Sequence, residues 1–105
     1  MTLRESLDVA ARDRILPDPL SPAFAALAAS LSLPASEPPT VAQQLAVYRL
    51  ALGRTQQEVA TAAGMRRATV ADVESARGDG QNPRLATLAA LSRALGQPLI
   101  VYPVR

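Results

Sequence analysis

The first apolar pattern in the chain places Leu3, Leu7, Ala10, Ala11 and Ile15 at helical spacing, which predicts a short amphipathic helix over residues 2–14. "LPDPLSP" then breaks the period. Ser21 followed by Pro22 is a helix start, with a hydroxyl N-cap and a proline whose missing N–H costs nothing in the first turn. The apolar run "AFAALAASLSL" predicts a second helix. "LPASEPP" (33–39) reads as a linker, because its prolines cannot continue a helix. Thr40 can cap the next helix, "VAQQLAVYRLAL", which places Val41, Leu45, Tyr48 and Leu52 along one face and ends at Gly53. Thr55 with Glu58 three residues on is a capping box, and the helix it opens ends at Gly64. A further helix is predicted from about Arg66 to Ser75, then a loop, "ARGDGQ". Another opens at Asn82-Pro83, carries Leu85, Leu88, Leu91 and Leu95 along one face, and closes at Gly96. After Pro98 the pattern changes to "LIVYPV", which has strand character. A lone strand is not stable in water, and the simplest remedy is the same strand from a second copy. The alternative is an extended, frayed tail.

The stretch "TQQEVATAAGMRRATVADVE" (55–74) meets several demands in register. Counted from Gln56, the fifth residue, Ala60, is small where two helices would cross. The ninth, Gly64, suits a turn with positive φ, which is costly for a residue with a Cβ. Val59, Ala63, Met65, Val70 and Val73 are apolar where the angle between two helices has to be filled. Together they predict a helix-turn-helix. The residues then divide into three segments: 1–39 as a helical extension and Pro-rich linker, 40–97 as a DNA-binding domain, and 98–105 as a dimerisation strand.

Residues 40–96 resemble the Cro/Xre-type repressor family, on the run "TQQEVA–AG", the "ATV–VE" of the next helix and "NPRLATLAALSRALG". Within that family the likeness is to HipB-type antitoxins, which share a basic pair before "AT" and a short strand after the last helix, as in "GMRRATVADVE" and "PLIVYPV". The resemblance implies an all-α fold: a five-helix, lambda-repressor-like domain with an N-terminal helical extension and one short C-terminal strand (Leu99, Ile100, Val101, Tyr102) pairing across a homodimer. It also implies a structural ion pair between Arg49 and Glu74. The function implied is a transcriptional repressor that binds double-stranded operator DNA. As an antitoxin it would also bind a toxin protein, a HipA-like kinase or another. A repressor without a toxin, or a module that binds only protein, are the alternatives.

In this motif the start of the second helix enters the major groove. Arg66 and Arg67 stand there, and a guanidinium can grip O6 and N7 of guanine with two hydrogen bonds. Arg67 is the expected base reader. Arg66 reaches a base or a phosphate. Ala68 lets the helix sit deep, Thr69 meets a methyl or a phosphate, and Ala71 and Asp72 face the groove one turn on. The family often carries Ser, Thr or Lys at the position of Arg66 and a longer polar side chain at that of Ala68. Phosphate anchoring is expected at helix N-termini, from Gln56 and Gln57 at one and from Gln81, Asn82 and Arg84 at another. Arg54 and Arg77 are further candidates.

Composition narrows the function. The chain of 105 residues has no Cys and no His, which removes thiol nucleophiles, the usual zinc sites and the commonest general base. The nine acids are scattered. An enzyme is therefore not expected, nor is a cofactor or metal. No apolar run reaches the length of a membrane span, and acids at positions 5, 8 and 13 do not suit a secretory signal, so a cytoplasmic protein is expected. Residues 1–39 hold three Arg against five acids, a balance of −2, and residues 40–105 hold eight against four, a balance of +4. A basic domain suits a polyanion partner. The acidic extension, with Phe24 among its apolar residues, has three possible uses: packing on the domain, extending the dimer, or clasping a toxin.

Overall fold

The computed structural model describes residues 16–76 and 82–102. The helix expected over 2–14, and Arg77 and Gln81 of the 76–81 loop, lie outside the described residues. Five helices occur among the described residues: α1 (Pro22–Ser30), α2 (Val41–Ala51), α3 (Gln56–Ala63), α4 (Arg67–Ser75) and α5 (Leu85–Leu95). The fold is all-α.

Local chemistry sets most of the boundaries. Ser21 caps α1, its hydroxyl accepting from Phe24 N–H, with Pro22 in the first turn. Thr40 and Gln43 form a capping box at α2, and Thr55 and Glu58 form one at α3. The Glu58 carboxyl is held below the usual carboxylate range, first by the Thr55 backbone N–H it accepts from. Gly53, Gly64 and Gly96 all take positive φ at helix ends. The last two helices begin slightly later than the sequence pattern predicts. Arg66 is the N-cap of α4, and Arg84 that of α5, so Asn82 and Pro83 precede the helix.

The helices share one core, which joins Phe24, Leu27 and Ala28 of α1 to Leu45, Val47, Tyr48 and Ala51 of α2. Val59, Ala60, Val70, Val73, Leu91 and Leu95, with Leu16 ahead of α1, complete it. Phe24 and Tyr48 meet edge to face, with ring centroids 5.5 Å apart. The Tyr48 hydroxyl donates to the Pro17 carbonyl at 2.7 Å, and burial pushes its pKa up. Of the three uses open to Phe24, the structure has it packed on the domain.

Two faces differ from the sequence pattern. On α2 the buried strip is Gln44, Leu45, Val47, Tyr48 and Ala51, and the predicted Val41 and Leu52 lie at its edges. On α5, Leu85 is 82% exposed although it continues the leucine spacing, because the first turn of the helix extends past the core. Residues 98–102 form no strand in the single chain, where no second strand is present to pair with.

Candidate nucleic-acid interface

The turn between α3 and α4 shows why the motif needs its residues. Ala60 is fully buried where the two helices meet. Gly64 sits at φ +70°, and Met65 N–H returns to the Ala60 carbonyl at 2.9 Å. A Cβ at Gly64 would meet nothing within 4 Å, so the backbone conformation, not lack of space, calls for glycine. Val70 and Val73 turn inward from α4. Arg66, Arg67, Ala68 and Asp72 are left exposed, with Thr69 and Ala71 half-buried beside them.

A polar cluster joins the far end of α4 to its neighbours. Arg49 Nε lies 2.5 Å from Glu74 Oε1, with side chains 14% and 8% exposed. Arg49 Nη1 also donates to the Arg54 carbonyl at 2.8 Å. The second Glu74 oxygen accepts from the side-chain amide of Gln56. One carboxylate thus ties α4 to both α2 and α3. That engagement of Gln56 was not legible in the sequence, where Gln56 reads as a surface residue at a helix start.

Asn82 and Arg84 come to the same place as the front of α4. With Pro83 and Thr87 they border a cleft of about 390 Å³ whose other wall is Arg66, Thr69, Asp72 and Val73. The helix caps differ in a related way. Hydroxyl side chains cap α1, α2 and α3, whereas α4 and α5 have arginines at the N-cap and no side-chain cap bond. The first-turn N–H groups of these two helices are not taken up by a side chain of their own N-cap, and both helices begin at this cleft. Gln57 lies apart from the cleft, exposed on α3, where its amide donates to Thr61 Oγ1 at 3.2 Å. Arg54 takes a role the sequence did not suggest. Its Nη1 donates at 2.6 Å to the Ala94 carbonyl, one of the orphan acceptors in the last turn of α5.

The HTH_3 helix-turn-helix family matches residues 45–101, just over half of the chain. The chain belongs to the Cro/Xre helix-turn-helix family. As a Cro/Xre protein it is a DNA-binding transcriptional regulator. No curated protein and no solved structure matches it significantly. Among the described residues no helix is long and apolar enough to cross a membrane, and no group of acids is placed to hold a metal ion.

Proposed function

We propose that this Cro/Xre regulator is a dimeric, sequence-specific repressor and the antitoxin of a type II toxin–antitoxin operon, whose promoter it represses. The observation that carries the DNA reading is the exposed front of α4. Arg66 and Arg67 stand there, and Arg66 shares a cleft with Arg84 and two helix N-termini that lack side-chain caps. In this reading Arg67 contacts a base edge, with Ala68, Thr69, Ala71 and Asp72 beside it in the groove. Arg66, Asn82, Arg84 and the open N–H groups of α5 face the phosphates, with Gln81 in the adjoining loop. Gln56 has given its amide to Glu74, so its phosphate contact falls to its backbone N–H at the start of α3, with Gln57 next to it.

The two arginines have different signatures. Arg67→Ala costs about 1–3 kcal/mol on the cognate operator and relaxes selectivity at one base pair. Arg84→Ala weakens all sequences alike and lowers the slope of log K against log salt by about one. Fluorescence anisotropy on operator and scrambled duplexes at several salt concentrations separates the two. An Arg67→Ala protein with unchanged affinity and selectivity would falsify the register assigned to α4.

The antitoxin assignment is supported by the likeness of "GMRRATVADVE" and "PLIVYPV" to HipB-type proteins. Residues 1–39 are then the extension and linker, 40–97 the reading domain and 98–105 the dimerisation strand. Expression of the native operon, followed by purification through this chain, tests it. The expected result is a stoichiometric toxin, a HipA-like kinase or another, encoded next to it and retained with operator DNA. Operator DNA without a protein partner points instead to a repressor that acts alone.

A further inference from the structure

Gln44 is the one fully buried amide side chain among the described residues. A buried amide has to place its donors and its acceptor. Gln44 Nε2 donates to the Pro39 carbonyl at 3.1 Å and to the Ile100 carbonyl at 2.8 Å, while its Oε1 accepts from Ile100 N–H at 2.9 Å. The side chain thus bonds both backbone groups of one residue, as a neighbouring strand does in a ladder. It holds the C-terminal tail by one edge.

The other edge follows from the alternation of an extended chain, in which successive residues turn their N–H and C=O groups to opposite sides. By that alternation, Val101 has its pair on the side away from Gln44. It is 66% exposed, and neither backbone group meets a partner among the described residues. The open edge is short. On one side Leu99 N–H is taken by Ser92 Oγ at 3.1 Å. On the other, position 103 is proline and has no N–H.

We infer that a second copy of this chain adds at Val101, antiparallel, with the two-fold axis between the two Val101 residues, and that Gln44 is the positioning residue that sets this register. The inference rests on the dimer reading above and adds to it the register and its cause. Pairing of Val101 with its own copy satisfies both groups in both chains. Beyond that pair the ladder cannot extend, because Leu99 N–H is spent on Ser92 Oγ and position 103, a proline, offers no N–H. The limits of the edge are therefore matched by its own two-fold image. The segment from Gln97 to Val104 carries no charge, so two antiparallel copies meet without repulsion.

The chain has no cysteine, so single cysteines are unique probes. Opposed Val101→Cys residues would have Cα atoms about 5.5 Å apart, within disulfide range, whereas two Leu99→Cys residues would be separated by about 13 Å along the strands. Mild oxidation of the full chain is expected to link Val101→Cys into dimers and to leave Leu99→Cys monomeric on a non-reducing gel. Val101→Pro deletes both N–H donors of the ring at an exposed position. It is expected to raise the dimer dissociation constant about 30-fold in sedimentation equilibrium, with helicity unchanged. Gln44→Met in the Val101→Cys background is expected to slow linking while circular dichroism stays native. Should that variant unfold, the two Val101 variants still decide the register. A wild-type chain that stays monomeric at high concentration overturns the dimer reading and this inference with it. A dimer that Val101→Pro leaves intact, or that links equally through Leu99→Cys, overturns the register alone. A folded Gln44→Met protein that links at the parent rate removes Gln44 from the mechanism.

Discussion

A Glu74→Ala variant is expected to melt roughly 12–24 °C below the wild type, because the carboxylate it removes serves three elements at once. Glu74 accepts from Arg49 Nε and from the Gln56 amide, and Arg49 in turn braces the Arg54 carbonyl. With Glu74 gone, a guanidinium with only 14% of its side chain exposed loses its counter-ion, and Gln56 loses its acceptor. Removing one partner of such a pair costs about 3 kcal/mol, since the remaining charge stays desolvated. For a domain of this size each kcal/mol moves the melting temperature by about 4–8 °C. Glu74 lies at the end of α4 opposite the exposed arginines, so below its melting temperature the variant should still bind operator with near wild-type selectivity. Circular dichroism melts paired with anisotropy at low temperature check both halves. An unchanged melt would mean that the cluster is solvated in solution and contributes nothing.

Phe24→Ala is the other large effect, expected to cost about 3–5 kcal/mol, the range for emptying a buried aromatic site. Phe24 is 1% exposed and meets Tyr48, which is itself fully buried and holds the Pro17 carbonyl through its hydroxyl. The cavity would open between α1 and α2, and Tyr48 would lose its edge-to-face neighbour. If α1 is part of one cooperative unit, a single melting transition moves down and near-ultraviolet tyrosine signal is lost with the helicity. Hydrogen exchange gives the opposing outcome a clear form. Amides of α1 that exchange faster while those of α2 and α5 keep wild-type protection would show that α1 is a docked accessory, not a part of the core.

Most of the helix-turn-helix was legible because its determinants are local. The Thr55–Glu58 box closes over three residues, and Gly64 answers a backbone angle at its own position. Val59, Ala60, Val70 and Val73 announce themselves by spacing, and all four are buried as that spacing implies. Leu85 shows the limit of the same reasoning. Periodicity tells which residues share a face, but not how far along the helix the core extends. The placement of Asn82 and Arg84 beside Arg66 was less accessible still, since it depends on where α5 starts relative to α4 across the loop between them.

The sequence by itself determined where α1, α2 and α3 start, where most helices stop, that α3 and α4 form a helix-turn-helix, and which arginines stand at its front. Caps, turns and periodicity are set by residues within a turn or two of each other. Only the tertiary structure decided that Phe24 belongs to the core of Tyr48, that Gln56 is committed to Glu74, and that Arg54 closes the end of α5. It also placed Gln44 against Ile100, 56 positions away. Side chains such as glutamine and arginine serve equally well in water or bonded inside a protein. Which they do depends on what the fold brings within 3 Å, and no spacing along the chain carries that distance.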